Sequence, residues 1–473
     1  MPCNPRKEES VACPICFKDL SVLHLYEREA HCDICLGRAT GGTSGAARKR
    51  SIPLPDVKKV RFRDTTLVVD GFMYMDDPTV DAYFLSHFHA DHYQGLCPSW
   101  KQGPLYCSAI TARLAMHKFK IPQELITVLY PGVPHKISPI LRCIPLDANH
   151  CPGSLILLFE EFDDQGHVRQ SILHTGDFRA TPSMATELSQ LTGSRPIDTV
   201  YLDTTYLHPY YHFPLQESVI ATTADFAAKL SDVGLRAYFA DKQKSILTFT
   251  KRRESHKHII KFRYLYLIGS YSIGKERLAV AISERLRTKL YVRSDTVKRK
   301  LIDRYKEWFP DGLITHVASE SCVHLVPFEV ISSKDSISNY MKVLPPIYED
   351  VIAFSPTGWA YANRLRYIPE QAIRERFACP DKRYKFVTDL LHDATVDSFT
   401  TDSLKTQYNQ SKRYQLFRIP YSEHSSFKDL SIFATTIQMN AIRSTVNLAS
   451  LEMHRMWFDT WSRIRNEKYL RKL

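Results

Sequence analysis

The chain has 473 residues, of which 44% are hydrophobic and 11% aromatic, and it carries a formal net charge of +12. This length and composition suit two or three domains with ordinary buried cores. No run of about 18 apolar residues occurs, so we expect no membrane span. The opening residues MPCNPRKEES lack the apolar stretch of a secretory signal, and we therefore expect a reducing compartment.

The positive charge favours an acidic partner such as nucleic acid. Basic residues are concentrated in three segments, at 47–63, 242–263 and 297–306. Clusters of this kind predict surfaces that contact phosphates. For the segment 297–306, a solvated helix face is the alternative interpretation.

Four potential zinc ligands lie near the N-terminus, in the motifs CPIC and HCDIC. They are Cys13, Cys16, His31 and Cys35. Three thiolates and one imidazole form a closed tetrahedral set for a structural zinc ion, and a region as short as 10–36 needs such a ligand to fold. Because 14 residues separate Cys16 from His31, His24 and Cys32 are rival ligands. The stretch 37–52 is rich in small residues and ends in a basic cluster, which predicts a flexible linker.

From about residue 53 the pattern is α/β, with alternating strand and helix segments. We predict strands at 65–72, 82–86, 141–146, 154–160, 170–176 and 199–204, and a helix at 108–119 capped by Ser108 or Thr111. Most of these strands run into a polar residue whose side chain can bind a metal or transfer a proton, namely Asp70, His87, His150, Asp177 and Asp203. Strand ends that feed polar loops are where α/β enzymes assemble their sites.

The later part of the chain continues this theme. We predict helices at 214–230 and 275–288, a strand at 264–272 and a packed terminal helix at 451–470. The stretches 350–359 and 416–426 read as further strands that run into polar loops.

The heptapeptide SHFHADH carries His87, His89, Asp91 and His92 directly after an apolar strand. Imidazoles together with a carboxylate form a ligand set suited to zinc. A surface histidine cluster is the alternative, but His150 and Asp177, each just after a strand, complete the pattern HxHxDH…H…D. The sequence therefore predicts a metal centre, in which Asp177 suits a bridging position and Asp70 suits a hydrogen bond to a ligand histidine.

These residues resemble the metallo-β-lactamase fold, an αββα sandwich with metals at one edge. The resemblance implies a hydrolase that uses a metal ion to make water nucleophilic at neutral pH. Later segments, VYLDTTY, GSYSIGKE, FSPTGWA, IPYSEHSS and STVNLAS, resemble the β-CASP nucleases in that order. Among these the chain is most similar to the DNA cross-link repair exonucleases, the relatives of Artemis, over about residues 55 to 470.

The resemblance implies a domain order. A first metallo-β-lactamase segment would cover 53–206, an inserted α/β β-CASP domain 207–345, and a second metallo-β-lactamase segment 346–473. Within it, Asp203 matches an acidic residue that supports the site, and His424 matches the histidine that completes a second metal position. Val446 matches a position that is valine in the DNA-acting branch and histidine in the RNA-processing branch.

The ligand sets follow from this match. One metal would be held by His87, His89, His150 and Asp177, and a second by Asp91, His92, Asp177 and His424. The residues expected in catalysis are Asp91, His92, Asp177 and Asp203. We expect one or two catalytic Zn²⁺ ions, with Mg²⁺ or Mn²⁺ as the alternative in the second position.

A phosphate pocket is predicted in two glycine-containing loops. In GSYSIGKE, Ser270, Ser272 and Lys275 offer hydroxyls and charge, and in SPTGW, Thr357 and Gly358 offer a hydroxyl and an open backbone. The resemblance implies that such a pocket holds a terminal 5′-phosphate, which would make the enzyme a 5′→3′ DNA exonuclease of interstrand cross-link repair. Ser355, Ala360 and Ala449 depart from the residues expected there.

The N-terminal motif resembles the small ubiquitin-binding zinc fingers of DNA-damage proteins, and Asp33 matches their ubiquitin-contacting position. We therefore expect DNA with a 5′-phosphate and ubiquitin or a ubiquitinated repair factor as partners, no membrane, a monomer, and the nucleus as location. The rival functions are an RNA-processing β-CASP endonuclease, a DNA endonuclease of the Artemis type, a small-molecule hydrolase and an inactive ubiquitin-reading scaffold.

Overall fold

The structure is a computed structural model that describes residues 53–74, 76–239, 261–358, 370–393, 398–410 and 414–470. The predicted zinc finger, the linker, Trp359 and most of the basic segment 242–263 lie outside these residues. In chain order, strands β1 to β17 are Lys59–Arg61, Thr66–Val69, Ala82–Phe84, Leu105–Ser108, Ile126–Leu129, His135–Ser138, Leu141–Asp147, Leu155–Phe162, Val168–His174, Ile197–Leu202, Phe262–Ser270, Leu290–Tyr291, Ile314–Thr315, Val323–Pro327, Tyr348–Pro356, Tyr414–Ile419 and Met439–Ser444.

The described α-helices are numbered α1 to α14. They are Ala90–Tyr93, Ala109–Phe119, Pro182–Leu191, Gln216–Val233, Leu235–Phe239, Glu276–Arg285, Val297–Ile302, Phe328–Ile331, Lys334–Lys342, Glu370–Arg376, Pro380–His392, Asp402–Lys405, Phe427–Thr436 and Leu451–Leu470. No helix in these ranges combines the length and the apolar character needed to cross a bilayer.

The predicted strands and helices are present, and local chemistry explains where they end. Helix α2 begins after Ser108, whose hydroxyl accepts from the Thr111 N–H, as a capping serine does. Strand β2 ends at Val69, earlier than predicted, because Asp70 adopts a left-handed backbone with φ of 54°. That turn leaves the strand and directs the Asp70 carboxylate towards the next loop.

Two sheets form a sandwich. The first has the order β1-β2-β3-β4-β5 and is parallel except for the β1–β2 pair, and the second has the order β17-β10-β9-β8-β7-β6. Apolar side chains from both sheets, among them Val69, Phe84, Leu157 and Phe159, make one core between them. Helices α3, α11, α13 and α14 cover the outer face of the second sheet, which gives the expected αββα layering.

The third sheet is fully parallel, in the order β13-β12-β14-β11-β15-β16. Its side chains share a core with the first sheet and with helices α2, α4 and α6, so the inserted region packs on the sandwich. Strands β15 and β16 also belong to this sheet, and both follow residue 345, the predicted end of the inserted domain. Strand β16 ends at Ile419, so the chain passes from the third sheet directly into the segment that carries His424.

The terminal helix α14 buries two tryptophans against the second sheet's helices. Trp457 and Trp461 are fully buried, and the Trp461 indole N–H donates to the Ser431 hydroxyl at 2.9 Å. Among the described residues the Trp457 indole nitrogen has no hydrogen-bond partner. The two side chains therefore differ in the hydrogen bonding of their indole N–H groups, although both fill the same core.

This difference predicts unequal effects of the same substitution. Trp461→Phe should lower the free energy of unfolding by about 1 kcal/mol more than Trp457→Phe, because only the first change removes a hydrogen bond. Urea unfolding followed by tryptophan fluorescence and circular dichroism would measure both. Equal losses in the two variants would contradict the hydrogen-bond assignment.

Candidate metal centre

Strand ends bring the predicted metal ligands to one place. The loop after β3 carries His87 and His89, and Asp91 and His92 lie in the short helix α1 that follows. His150 comes after β7, Asp177 after β9 and His424 after β16. The resulting groups of ligand atoms are His87–His89–His150, Asp70–His87–His92, His150–Asp177–His424 and Asp91–His92–Asp177.

The imidazoles of His87, His89 and His150 each have a hydrogen-bond partner at the ring nitrogen that points away from the cluster, here called the outer nitrogen. Ser86 Oγ donates to Asp70 Oδ2 at 2.7 Å, so it accepts from His87 Nδ1, which lies 3.0 Å away. His89 Nε2 donates to the Ile273 carbonyl at 3.1 Å, and His150 Nδ1 donates to a backbone carbonyl, that of Glu423, at 2.8 Å. These contacts place the ring proton of each neutral imidazole on its outer nitrogen.

The inner nitrogens then face one another with lone pairs. His87 Nε2 lies 2.9 Å from His89 Nδ1, which lies 3.0 Å from His150 Nε2. Burial holds the pKa of His87 and His150 well below the ordinary histidine value, and neighbouring imidazoles lower it further. Neutral nitrogens this close need a cation between them, and tetrahedral ligands at zinc lie about 3.3 Å apart. The donor set therefore fits a divalent metal.

A second group of imidazoles surrounds Asp177. The same carboxylate oxygen, Oδ2, lies 3.2 Å from His92 Nε2, 3.8 Å from His87 Nε2, 3.9 Å from His424 Nε2 and 4.0 Å from His150 Nε2. One oxygen thus faces nitrogens of both predicted ligand sets, as a bridging carboxylate would.

Carboxylates support the second group from outside. Asp70 Oδ2 lies 2.7 Å from His92 Nδ1, and Asp203 Oδ2 lies 2.9 Å from His424 Nδ1. Burial alone would raise the pKa of Asp203, but His424 lowers it overall, so the carboxylate stays charged. Asp70 and Asp203 therefore orient imidazoles by accepting their outer protons.

The charge balance of this second group also favours a cation. Burial lowers the pKa of His92, but Asp177, Asp91 and Asp70 together raise it well above the ordinary value. The Asp91 side chain is 66% exposed, with Oδ2 at 3.4 Å from His92 Nε2, so it lies at the mouth of the site. Three carboxylates around one imidazole attract positive charge, whether a proton or a metal ion.

The predicted phosphate contacts divide into two groups. Ser270 is buried and its hydroxyl donates to the Val326 carbonyl, and the buried Lys275 lies with Nζ 3.7 Å from Glu423 Oε2. Ser270 and Lys275 thus have partners within the protein, and their contact with phosphate stays a prediction. Ser272 and Thr357 are half-buried, so they stay candidates.

Gly358 lies beside an aromatic residue of the metal centre. A Cβ at Gly358 would lie 2.9 Å from Tyr206 Oη, and the Tyr206 ring centroid is 5.9 Å from that of His424. Glycine is thus required for this close approach. Val446 lies next to the Asp203 loop, because its carbonyl accepts from Thr204 Oγ1 at 2.7 Å.

Sequence reasoning missed Arg179, two residues after Asp177. Its guanidinium is buried and donates to the carbonyls of Ser422, His424 and Pro214, and its Nε lies 3.1 Å from Asp429 Oδ2. It therefore ties the Asp177 loop to the His424 loop. The arginine that follows Asp177 in the stretch GDFR was the available signal, but its partners in the His424 loop lie more than 200 residues away.

The basic segment 297–306 is not uniformly solvated. Lys298 is 4% exposed and forms a buried ion pair with Glu276, so its charge is used inside the fold. Lys300 and Arg304 are exposed. Arg304 accepts at its carbonyl from Arg113 Nε at 2.5 Å, and its Nη2 lies 3.1 Å from His117 Nδ1. Segment 297–306 thus meets helix α2 of the sandwich.

Comparison with known proteins agrees with this architecture. The family described as DNA repair metallo-beta-lactamase matches residues 308–450. The chain is 37% identical to the DNA cross-link repair protein PSO2/SNM1 of Saccharomyces cerevisiae, over 97% of this chain and 78% of that protein. It is 30% identical to the Schizosaccharomyces pombe protein of the same name, over 98% of this chain and 80% of that protein.

A further relative is the 5′ exonuclease Apollo of Gallus gallus, with 33% identity over 64% of this chain and 65% of that protein. The resemblance deduced from HxHxDH and the later motifs is therefore confirmed, as is the α/β metallo-β-lactamase fold. The chain belongs to the family of PSO2/SNM1 DNA cross-link repair proteins, which carry a DNA repair metallo-β-lactamase domain.

Proposed function

We propose that this chain is a metal-dependent nuclease that hydrolyses DNA phosphodiester bonds in the 5′→3′ direction from a 5′-phosphorylated end, in the repair of interstrand cross-links. The observation that carries the proposal is the convergence of four imidazoles on Asp177, with the His89 ring beside that of His87. The relatives named for DNA cross-link repair and the one named 5′ exonuclease support the choice of DNA and of polarity.

The proposed ligands are those deduced from the sequence. His87, His89, His150 and Asp177 would hold one Zn²⁺, and Asp91, His92, Asp177 and His424 a second ion, either Zn²⁺, Mg²⁺ or Mn²⁺. A divalent metal supplies Lewis acidity to a phosphoryl oxygen and lowers the pKa of water so that it becomes nucleophilic near neutral pH.

The chain's own residues position and hold protons. Asp70 and Asp203 accept hydrogen bonds from the outer nitrogens of His92 and His424, so the inner nitrogen of each ring would offer its lone pair to a bound metal. Arg179 holds the loop of His424 against the loop of Asp177. Ser270, Ser272, Lys275, Thr357 and Gly358 stay the residues proposed for the terminal phosphate.

The central role of Asp177 can be tested by replacing its carboxylate with an amide of the same size. Asp177→Asn should reduce digestion of 5′-phosphorylated single-stranded DNA by more than about 100-fold, beyond the effect expected of residues that merely support ligands. Asp198→Asn is a matched control, because Asp198 lies at the opposite end of strand β10 from Asp203. It should keep parental activity in the same gel assay.

The substrates in that assay separate the rival functions. Parental enzyme should prefer the 5′-phosphorylated strand over its 5′-hydroxyl and RNA counterparts. Full activity of purified Asp177→Asn would overturn the metal assignment. Preferential RNA cleavage would favour the RNA-processing alternative, and internal cuts independent of the 5′ end would favour an endonuclease of the Artemis type.

A basic ridge is proposed to track the DNA backbone. We define it as Arg113, His117, Lys120, Lys300 and Arg304. Arg304 Nη2 lies 3.1 Å from His117 Nδ1. Burial lowers the pKa of His117, and the cations Arg304, Lys120 and Lys300 lower it further. Lys118 of the same helix lies with Nζ 4.5 Å from the ring centroid of Tyr93, the residue after His92, so helix α2 contacts the short helix α1 that carries His92.

The ridge predicts a salt-dependent effect. Lys120→Ala/Lys300→Ala should weaken binding of single-stranded DNA, and the slope of log affinity against log salt should become shallower by about 1 to 1.5, because each lost phosphate contact contributes about 0.7. Fluorescence anisotropy at several salt concentrations measures this slope. The control Lys382→Ala/Lys385→Ala, on the exposed face of helix α11, should leave it unchanged, and an equal change there would refute a localised ridge.

The N-terminal residues complete the proposal. Cys13, Cys16, His31 and Cys35 would hold a structural Zn²⁺, and Asp33 would contact ubiquitin on a repair factor in the nucleus. Support comes from the ligand chemistry of the motif. These residues lie outside the described part of the chain.

This finger has its own test in the full-length protein. Cys13→Ser/Cys16→Ser should lower the zinc content by one ion per chain, as measured by atomic emission. Asp33→Ala should keep that zinc and lose ubiquitin binding in a calorimetric titration. Unchanged ubiquitin binding by Asp33→Ala would refute the assigned contact.

A further inference from the structure

Glu423 takes part in the hydrogen bonds that orient two metal-facing imidazoles, those of His150 and His89. The residue is 4% exposed and directly precedes His424. Its carbonyl accepts from His150 Nδ1 at 2.8 Å, and its carboxylate Oε1 accepts from the Lys275 N–H at 2.7 Å. Lys275 belongs to the turn of the inserted region whose Ile273 carbonyl accepts from His89.

The peptide group between Ile273 and Gly274 is held at both ends. Its carbonyl accepts from His89 Nε2 at 3.1 Å, and its N–H donates to Glu276 Oε1 at 2.9 Å. A trans peptide is planar, with the C=O and N–H pointing in opposite directions. The contact to Glu276 therefore directs the carbonyl at His89.

The next peptide along is held by Glu423. Its N–H, that of Lys275, is the one that donates to the carboxylate. Gly274 has φ of 101° and Lys275 has φ of 70°, and two successive left-handed residues need such support. A Cβ at Gly274 would lie 2.8 Å from Glu423 Oε2, so the carboxylate packs directly against the turn.

A simpler role for Glu423 would be to neutralise the buried ammonium of Lys275. The distances favour the turn instead, because Oε1 lies 2.7 Å from the Lys275 backbone nitrogen whereas Oε2 lies 3.7 Å from its Nζ. The short contact is made to the backbone, and that contact depends on the reach of the carboxylate more than on its charge.

We propose that Glu423 is a positioning residue that aims His89, through the Ile273–Lys275 turn, and His150, through its own carbonyl, so that the seating of the inserted region on the sandwich sets the metal affinity of the centre. This inference rests on the proposed function in one respect, namely that the His87–His89–His150 cluster binds a metal.

Two conservative variants separate reach from charge. Glu423→Asp keeps the charge but is one methylene too short for the Lys275 N–H, so it should lower the affinity of the cluster for Zn²⁺ by about 10–100-fold. Glu423→Gln keeps the reach and an acceptor oxygen, so it should lose much less. Chelator competition on the full-length chain measures the affinity, and the d–d absorption of the Co²⁺-loaded protein should change in Glu423→Asp.

The matched control is Glu160→Asp. Glu160 is also fully buried and pairs with Arg142 and Arg195 at 2.7 and 2.8 Å, towards the far end of strand β8 from the metal centre. This variant should lower thermal stability yet keep parental metal affinity. Any metal at the N-terminal cysteines is common to all these proteins and cancels in the comparison.

The outcomes distinguish the two claims. Parental affinity in Glu423→Asp together with weak binding in Glu423→Gln would show charge neutralisation and overturn the positioning role. Equal losses in Glu423→Asp and Glu160→Asp would overturn it as well, because they would reflect general destabilisation. A parental chain that takes up no metal at this cluster would instead overturn the proposed function, and this inference with it.

Discussion

The placement of a few ring protons is the constraint on which the site depends. Each metal-facing imidazole donates a hydrogen bond from its outer nitrogen to a fixed acceptor. The acceptors are the Ser86 hydroxyl, two backbone carbonyls and the carboxylates of Asp70 and Asp203. The inner nitrogens of His87, His89 and His150 are left as lone pairs about 3 Å apart. Without those acceptors the neutral rings would exchange protons with one another and the cluster would be a hydrogen-bonded network in place of a cation site.

The acceptors come from all three sheets, which is why the inserted region matters for the chemistry. Asp70 belongs to the first sheet's β2 edge and Asp203 to the end of β10 in the second. The Ile273 carbonyl follows β11 and Glu423 follows β16, both strands of the third sheet. The set of hydrogen-bond acceptors is therefore complete only when the inserted region packs on the sandwich. The large shared core between the first and third sheets stabilises that packing.

Electrostatics explains why a cation and a basic surface belong together here. Asp70, Asp91, Asp177 and Asp203 concentrate negative charge at the site, and a phosphodiester brings more. In the proposed function, a bound divalent metal would offset the local charge, and the basic ridge would attract the rest of the DNA backbone over a longer range. The inward ion pair of Lys298 with Glu276 shows that a basic run in sequence does not by itself tell which of its charges reach solvent.

The sequence alone determined the family and most of the elements, because motifs and the period of apolar residues are local properties. HxHxDH follows a strand, serine caps helix α2, and the apolar stretches have the period of their strands and helices. It also gave Asp70 and Asp203 as supporting carboxylates, a role in keeping with their hydrogen bonds to His92 and His424.

Only the tertiary structure decided which supports each imidazole uses and which polar groups stay free. Ser270 and Lys275 read as phosphate contacts in GSYSIGKE, yet the fold buries both and uses the turn's carbonyl for His89. Glu423 contacts residues 148 and 273 positions away, and Arg179 contacts residues 243 and 245 positions away. Contacts at such separations depend on how the sheets pack, and no local pattern of residue types encodes that packing.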